Sequence, residues 1–325
     1  MPDSRNVHIE PLAGGYRVRI EKNGRLHEEF TTRLPLSLVE KLAHVRGRDA
    51  FDRLGDPLAY AGLAEMLERR KLSLSGLRVL DVGCRYGSSS LAASRLGARE
   101  VVGIDISHEP LSVGRMILCE LEEHPNLRGS AQVAFACIAP GQPLPFAAGS
   151  FDAVLCNALF EHVPPAQRPA VVRELWRLLR PGGYLIVHET PNRWWPRDTH
   201  TTKLWLVPYL PRPLAQLATR LFCRRFTRQQ VQNWDYMLTA GVRGVSYCEI
   251  ARHAPGHDSA LDRRADDIRG YFDLMLQQYH SPRQRAMNRL YRLLCRMLEW
   301  IICKPLQLPN TTVIPNLYMA LCKTG

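Results

Sequence analysis

No two of the nine cysteines in this chain of 325 residues form a Cys-x-x-Cys pair, and their spacing builds no framework. That excludes a small scaffold stapled by disulfides and a zinc site made of thiolates; free thiols in a reducing compartment are expected. Apolar runs of the ~20 residues that a bilayer-spanning helix needs are missing too, because Arg or Lys breaks every candidate. Charges are scattered through the first forty residues, so a cleaved secretion signal is not expected. Internal repeats and low-complexity tracts are lacking, which excludes a solenoid and a linker-like chain.

Acidic residues are scarce in one part only. From Met1 to Thr190 there are 23 Lys and Arg against 22 Asp and Glu, whereas from Pro191 to Gly325 there are 20 against 9. Nearly all of the net charge of +12 therefore sits in the last part. Such a face can attract nucleic acid, an anionic membrane or an acidic substrate, or be merely solvated.

What is present is a folded chain, with 46% apolar residues and enough length for one sizeable core plus an appended region. Tyr16–Ile20 reads as a strand running into a turn at Asn23-Gly24. Leu36 to Leu72 is helical in pattern, with breaks near Gly47 and Gly55-Asp56-Pro57. From Leu77 strands alternate with helices. Val79–Val82, Val101–Ile106, Gln132–Ile138, Phe151–Asn157 and Tyr184–Glu189 read as strands. Ser88–Leu96, Pro110–Glu123 and Pro165–Leu179 read as helices. Alternation of this kind implies βαβ units and an α/β fold with a mostly parallel sheet. Gly244–Ile250 and Leu317–Lys323 are the remaining strand candidates, with helical sequence from about Ser259 to Cys303. The expected organisation is an N-terminal hairpin and helical cap over 1–76, then one domain over 77–325. Its cover insertions fall at about 192–242 and 259–315, and the cap is expected to close the pocket from the other side.

The chemistry concentrates in Val79-Leu80-Asp81-Val82-Gly83-Cys84-Arg85-Tyr86-Gly87. A glycine turn between a buried strand and a helix lets backbone approach a ligand and aims helix N–H groups at its anionic end. Asp105, at the end of the second strand, stands where open α/β sheets place a carboxylate for ribose hydroxyls. The turn reads GxxxG, so the dinucleotide fingerprint GxGxxG is not met. Further on come Leu144-Pro145-Phe146, Gly149-Ser150-Phe151-Asp152-Ala153-Val154, Asn157, Glu161-His162-Val163, Leu179-Arg180-Pro181-Gly182-Gly183 and Glu189-Thr190-Pro191-Asn192.

This ordered series, from Leu77 to Asn192, resembles the class I S-adenosylmethionine (SAM)-dependent methyltransferases, particularly the small-molecule branch with the quinone O-methyltransferases. Thr190 to Pro196 is also similar to bacterial members associated with glycan or natural-product chemistry. The resemblance implies a seven-stranded, mostly parallel Rossmann-like sheet with helices on both faces. Its last strand should lie antiparallel beside the fifth and pair with Gly244–Ile250. It implies SAM as cofactor, with Gly83, Cys84, Arg85 and Gly87 beneath its methionine end and Asp105 on the ribose. Asp81 would orient the loop or reach the amino group through water, Ile106 would pack on adenine, and Asn157 would approach the sulfonium and the aminobutyrate chain. Two departures stand out. Arg85 replaces the middle glycine of the family turn, either folding back to the SAM carboxylate or pointing to solvent. The stretch Ile138-Ala139-Pro140-Gly141-Gln142 lacks the acid that usually holds the adenine amino group.

Methyl transfer from a sulfonium is an in-line displacement, so the protein must align the reactants in a dry pocket. A base matters when the acceptor is an alcohol or phenol, and histidine suits that task near neutral pH. His162 and His188 are the catalytic candidates, with His200 beyond them. Glu161-His162 also resembles metal-assisted quinone methyltransferases, but their further acid is replaced by Ala158, so no metal site is expected. Trp194, Trp195, Trp205 and Tyr209 either line an aromatic lid or pack it on the sheet. Over 283–303, Arg285, Arg289, Arg292 and Arg296 share one helix face, and Leu290, Leu294, Met297, Leu298 and Ile301 another. Either that apolar stripe is core, or the helix lies on a membrane surface. The expected protein is a cytoplasmic small-molecule methyltransferase, acting on oxygen, with peripheral membrane contact left open and nucleic acid not an expected partner. An RNA methyltransferase and a non-catalytic partner protein of the same fold are the alternatives.

Overall fold

The computed structural model describes residues 5–22, 25–32, 36, 37, 39, 40, 57–122, 128–278 and 281–325. Strands β1 (Arg5–Leu12), β2 (Gly15–Lys22) and β3 (Arg25–Thr32) form an antiparallel sheet. The Asn23-Gly24 turn and much of the helical pattern before Pro57 lie outside the described residues. Helix α1 (Pro57–Arg69) follows. Then come β4 (Arg78–Val82), α2 (Ser88–Arg95), β5 (Glu100–Asp105), α3 (His108–Glu120), β6 (Gln132–Cys137), β7 (Phe151–Asn157), α4 (Arg168–Leu178) and β8 (Leu179–Pro191).

The cover after β8 carries α5 (Arg212–Phe222), α6 (Arg228–Gln232), α7 (Trp234–Thr239) and α8 (Tyr247–Ala251). The short strand β9 (His257–Asp258) precedes α9 (Ala260–Arg264), α10 (Asp267–Gln278) and α11 (Pro282–Leu298), and β10 (Asn316–Lys323) ends the chain's regular structure. The large sheet has the order β6-β5-β4-β7-β8-β10-β9. β4 to β8 run parallel, and β10 lies antiparallel beside β8, as the sequence implies. The seven-stranded, mostly parallel sheet with an antiparallel last strand is therefore as expected.

One strand is misplaced by the sequence reading. Gly244–Ile250 is not a strand: Ser246 accepts from the Glu249 amide in a capping box that starts α8, and only Val245 bridges Asn192. A Ser-x-x-Glu sequence satisfies two free helix N–H groups, and here it outweighs the apolar residues around it. The partner of β10 is His257–Asp258 instead.

Successive side chains of a strand point to opposite faces. Val79 and Leu155 join Leu63 and Met66 on one side of the sheet, while Leu80 and Cys156 join Val172 and Val245 on the other. The small sheet packs Val18 and Ile20 against Tyr86, Leu91, Val113 and Ile117, which anchors it over α2 and α3. Buried Arg70 donates to Asp262, to Asp267 and to the Tyr318 carbonyl. This ion triad ties the end of α1 to the later insertion and to β10. Removal of one member would leave a buried charge unpaired, at a cost of about 3–5 kcal/mol.

Candidate active site

The carboxyl ends of β4, β5, β7 and β8 form one edge, the place where open α/β sheets bind ligands. Gly83 (φ +74°) and Gly87 (φ +80°) both take the left-handed conformation that side chains resist. A Cβ on Gly83 would stand 2.7 Å from Leu159, and one on Gly87 would stand 2.3 Å from Phe135. Glycine is thus required twice, by conformation and by close packing. Arg85 also has positive φ, at +47°. Its guanidinium lies 5.2 Å from the centre of the Tyr86 ring and the residue is exposed, the solvent-facing alternative for this side chain. Cys84 turns into the core, its sulfur 2.9 Å from a Cβ built on Gly103, so the turn offers a ligand only its backbone there.

Asp105 is buried and accepts hydrogen bonds from the Arg85 amide at 3.0 Å and the Ser107 amide at 2.8 Å. Each oxygen keeps a second lone pair. Ile106, next in sequence, is 61% exposed, an uncovered apolar side chain beside a buried acid. Asp81 is fully buried and accepts from Ser90 Oγ at 2.5 Å. Burial pushes its carboxyl up to about 6, opposed by the Ser90 and Ser89 hydrogen bonds.

A cleft of about 480 Å³, its open mouth included, is lined by Leu63, Ser88, Ser89, Asn157, His188 and Glu189, among others. Ser88 and Ser89 start α2, whose first amide groups carry partial positive charge. α1 closes this cleft through Leu63 and through Gly62, which lies against the His188 ring. His188 Nδ1 stands 3.1 Å from Asn157 Oδ1 and therefore carries the proton; Nε2, toward Gly62, lacks a hydrogen bond of good geometry. Burial lowers the His188 pKa, opposed by the nearby Glu189 carboxylate.

His162 belongs to a second cluster. Its Nδ1 donates to the Thr239 carbonyl at 2.7 Å, its Nε2 stands 4.0 Å from Glu161 Oε1, and its ring centre is 5.2 Å from that of His200. Glu161 is fully buried and neither oxygen reaches hydrogen-bond geometry, although the Thr190 hydroxyl and its own amide lie close. Burial pushes its carboxyl up to about 8. Burial and neighbouring His162 lower His200 to about 4.

The structure thus gathers Gly83, Gly87, Asp105, Ile106 and Asn157 on one edge and separates the two histidines into different clusters. Glu189 belongs to the Glu189-Thr190-Pro191-Asn192 stretch, but no role follows for it from sequence; it lines the cleft with a strained φ of +55°. His200 joins Glu161 from a segment distant in sequence. Its one local signal is Asp198-Thr199-His200-Thr201-Thr202, a turn in which Asp198 accepts from the amides of His200, Thr201 and Thr202.

Residues 80–187 match the family model described as a methyltransferase domain. Over 123 residues the chain is 41% identical to a ubiquinone biosynthesis O-methyltransferase of Xanthomonas oryzae pv. oryzae, covering 38% of this chain and 46% of the relative. A protein of the same description from Stutzerimonas stutzeri is 39% identical over 38% of this chain and 47% of its own length. The chain thus spans about half the length of the curated relatives it matches. Among solved structures, an S-adenosylmethionine-dependent methyltransferase from Methanosarcina mazei is 27% identical with a TM-score of 0.32, over 43% of this chain and 59% of that one.

Proposed function

We propose that this chain, whose residues 80–187 match the methyltransferase-domain model, transfers a methyl group from SAM to an oxygen of a small, amphiphilic acceptor. The observation that carries the reading is the Asp105 corner. There a buried carboxylate held by two backbone amides stands beside the left-handed glycine turn and the uncovered Ile106. These features fit an adenosine: an acid with lone pairs to spare for ribose hydroxyls, and an apolar surface for a flat base. The uncharged cleft wall of Ser88, Ser89 and Asn157 fits the methionine end.

Bound SAM supplies a methyl group already activated on a sulfonium. The chain's part is to orient and to exclude water. Asp105 would hold the ribose, Ile106 the adenine, and Asn157 with the first turn of α2 the aminobutyrate chain. Nδ1 of both His188 and His162 faces an oxygen acceptor, so in the neutral ring of each it is Nε2 that can take up a proton. His162, whose ring is half exposed, can accept the proton of an acceptor hydroxyl, whereas His188 Nε2 is enclosed beside Gly62.

A peripheral position at an anionic membrane surface belongs to the same proposal. Most of the apolar stripe of α11 is uncovered: Leu290, Leu294, Met297 and Ile301 are 43–66% exposed, as is neighbouring Trp300 at 68%, while Leu298 packs against the core. Arg292 and Arg296 instead turn to Asp273 and Asp266. α5 repeats the pattern with exposed Leu214, Leu217, Leu221 and Phe222 beside Arg220 and Arg224. Large exposed apolar residues flanked by cations suit a lipid headgroup boundary better than an RNA backbone. No helix among the described residues is long and apolar enough to cross a membrane.

Calorimetric titration with S-adenosylhomocysteine tests the cofactor reading. One site per folded chain is expected; the absence of binding would leave a non-catalytic partner protein of this fold.

A further inference from the structure

We infer that Glu161, His162 and His200 form a binding site for one divalent transition-metal ion, with Zn2+ as the best-suited occupant. The donor atoms of the three residues lie within 4.8 Å of one another. Two ligands on one zinc at about 2.1 Å from it stand about 3.4 Å apart, so side-chain shifts of about 1 Å would gather the set. Two imidazoles and one carboxylate suit Zn2+ and similar ions, whereas Mg2+ and Ca2+ prefer oxygen donors alone.

The donors are held as ligands need to be. The Thr239 carbonyl fixes the Nδ1 proton of His162, which leaves Nε2 as the donor lone pair. The turn around Asp198 and the Arg225 hydrogen bond to the His200 carbonyl fix the backbone of His200. Gly241 presses on this arrangement: a Cβ there would stand 3.0 Å from His200 Cδ2 and 3.4 Å from Glu161 Cβ. The fully buried Glu161 carboxyl has no hydrogen bond of good geometry at either oxygen, only the Thr190 hydroxyl and its own amide nearby, and a buried group of that kind needs a cation or a proton. Ala158 in place of an acid has no bearing on this set, because the third ligand comes from the segment after β8.

Three protein ligands leave a position open for water or an acceptor oxygen. A hydroxyl bound there loses its proton to solvent at a lower pH than the free alcohol does, and His162 is then a ligand rather than a base. That use rests on the methyl-transfer reading; the binding itself does not.

The test is binding alone. The full chain is stripped with a chelator and titrated with Co2+, then with Zn2+ in competition. One Co2+ per chain is expected, with visible bands of a low-coordinate nitrogen and oxygen site, no thiolate charge-transfer band, and displacement by Zn2+. Glu161→Gln and His200→Gln should each weaken Zn2+ binding at least tenfold. His162→Gln, altering a half-exposed ring, gives the same reading if the variant at buried Glu161 or at half-buried His200 fails to fold. His253→Gln should leave binding unchanged. A thiolate spectrum, no saturable binding, or equal affinity in the folded variants would overturn the site.

Discussion

Two buried carboxylates stand at the same edge of the sheet, and they are kept in opposite ways. Asp105, ending β5, accepts two backbone amides from its own neighbourhood. Glu161, just after β7, accepts none in good geometry and meets instead two imidazoles, one of them from the cover segment. The first corner is complete within the alternating strands and helices, its carboxylate held by backbone amides alone. The second is completed only when the segment after β8 folds over it, and it calls for a proton or a cation. On the proposed reading, the corner that would hold the cofactor is built by the alternating strands and helices, whereas the one beside Glu161 needs the segment after β8.

The sharpest way to break this contrast is Asp105→Ala. Losing a charged acceptor for two ribose hydroxyls should weaken S-adenosylhomocysteine binding about a thousandfold, or about 4 kcal/mol, by calorimetry. Unchanged affinity would remove Asp105 from the cofactor site. The support beneath that corner is probed by pH. Burial raises Asp81 from 3.8 to about 6, so the native state keeps a proton that the unfolded chain has lost between those values. The stability from that proton is full below about pH 4 and is lost as pH rises through 6, to a total of about 3 kcal/mol. Asp81→Asn should flatten this part of the denaturant-midpoint profile; a parallel profile would contradict it.

At the other corner, His162→Ala should slow methyl transfer about a hundredfold while cofactor affinity stays as it was. Full turnover would exclude the ring as base or ligand. The smallest effect belongs to the outer surface of the cover. Leu217→Glu with Leu290→Glu should reduce sedimentation with vesicles rich in phosphatidylglycerol about tenfold. Equal sedimentation would leave the exposed stripes without a lipid partner.

The same division governs how much could be read from sequence. Strands such as Leu80–Val82 and Val154–Cys156 are buried on both faces, so they appear as apolar runs between helical stretches. Gly83, Gly87, Asp105 and Asn157 sit at strand ends, where the fold alone brings them together. His200 could not be placed because its partners are set by a loop fixed through Asp198 and Arg225, contacts without periodicity. The exposure of the α11 stripe was equally hidden. Periodicity shows that a helix has an apolar face, but only packing shows whether another element covers it. The two-residue strand His257–Asp258 is too short to leave any pattern at all.

The central claim is that the Asp105 corner holds the cofactor in a methyl-transferring site. A crystal structure with S-adenosylhomocysteine tests it most directly. The account predicts ribose hydroxyls on Asp105, adenine against Ile106, and the sulfur facing the cleft of Asn157 and His188. Ligand bound elsewhere, or an Asp105 that touches only the Arg85 and Ser107 amides beside a bound ligand, would contradict it.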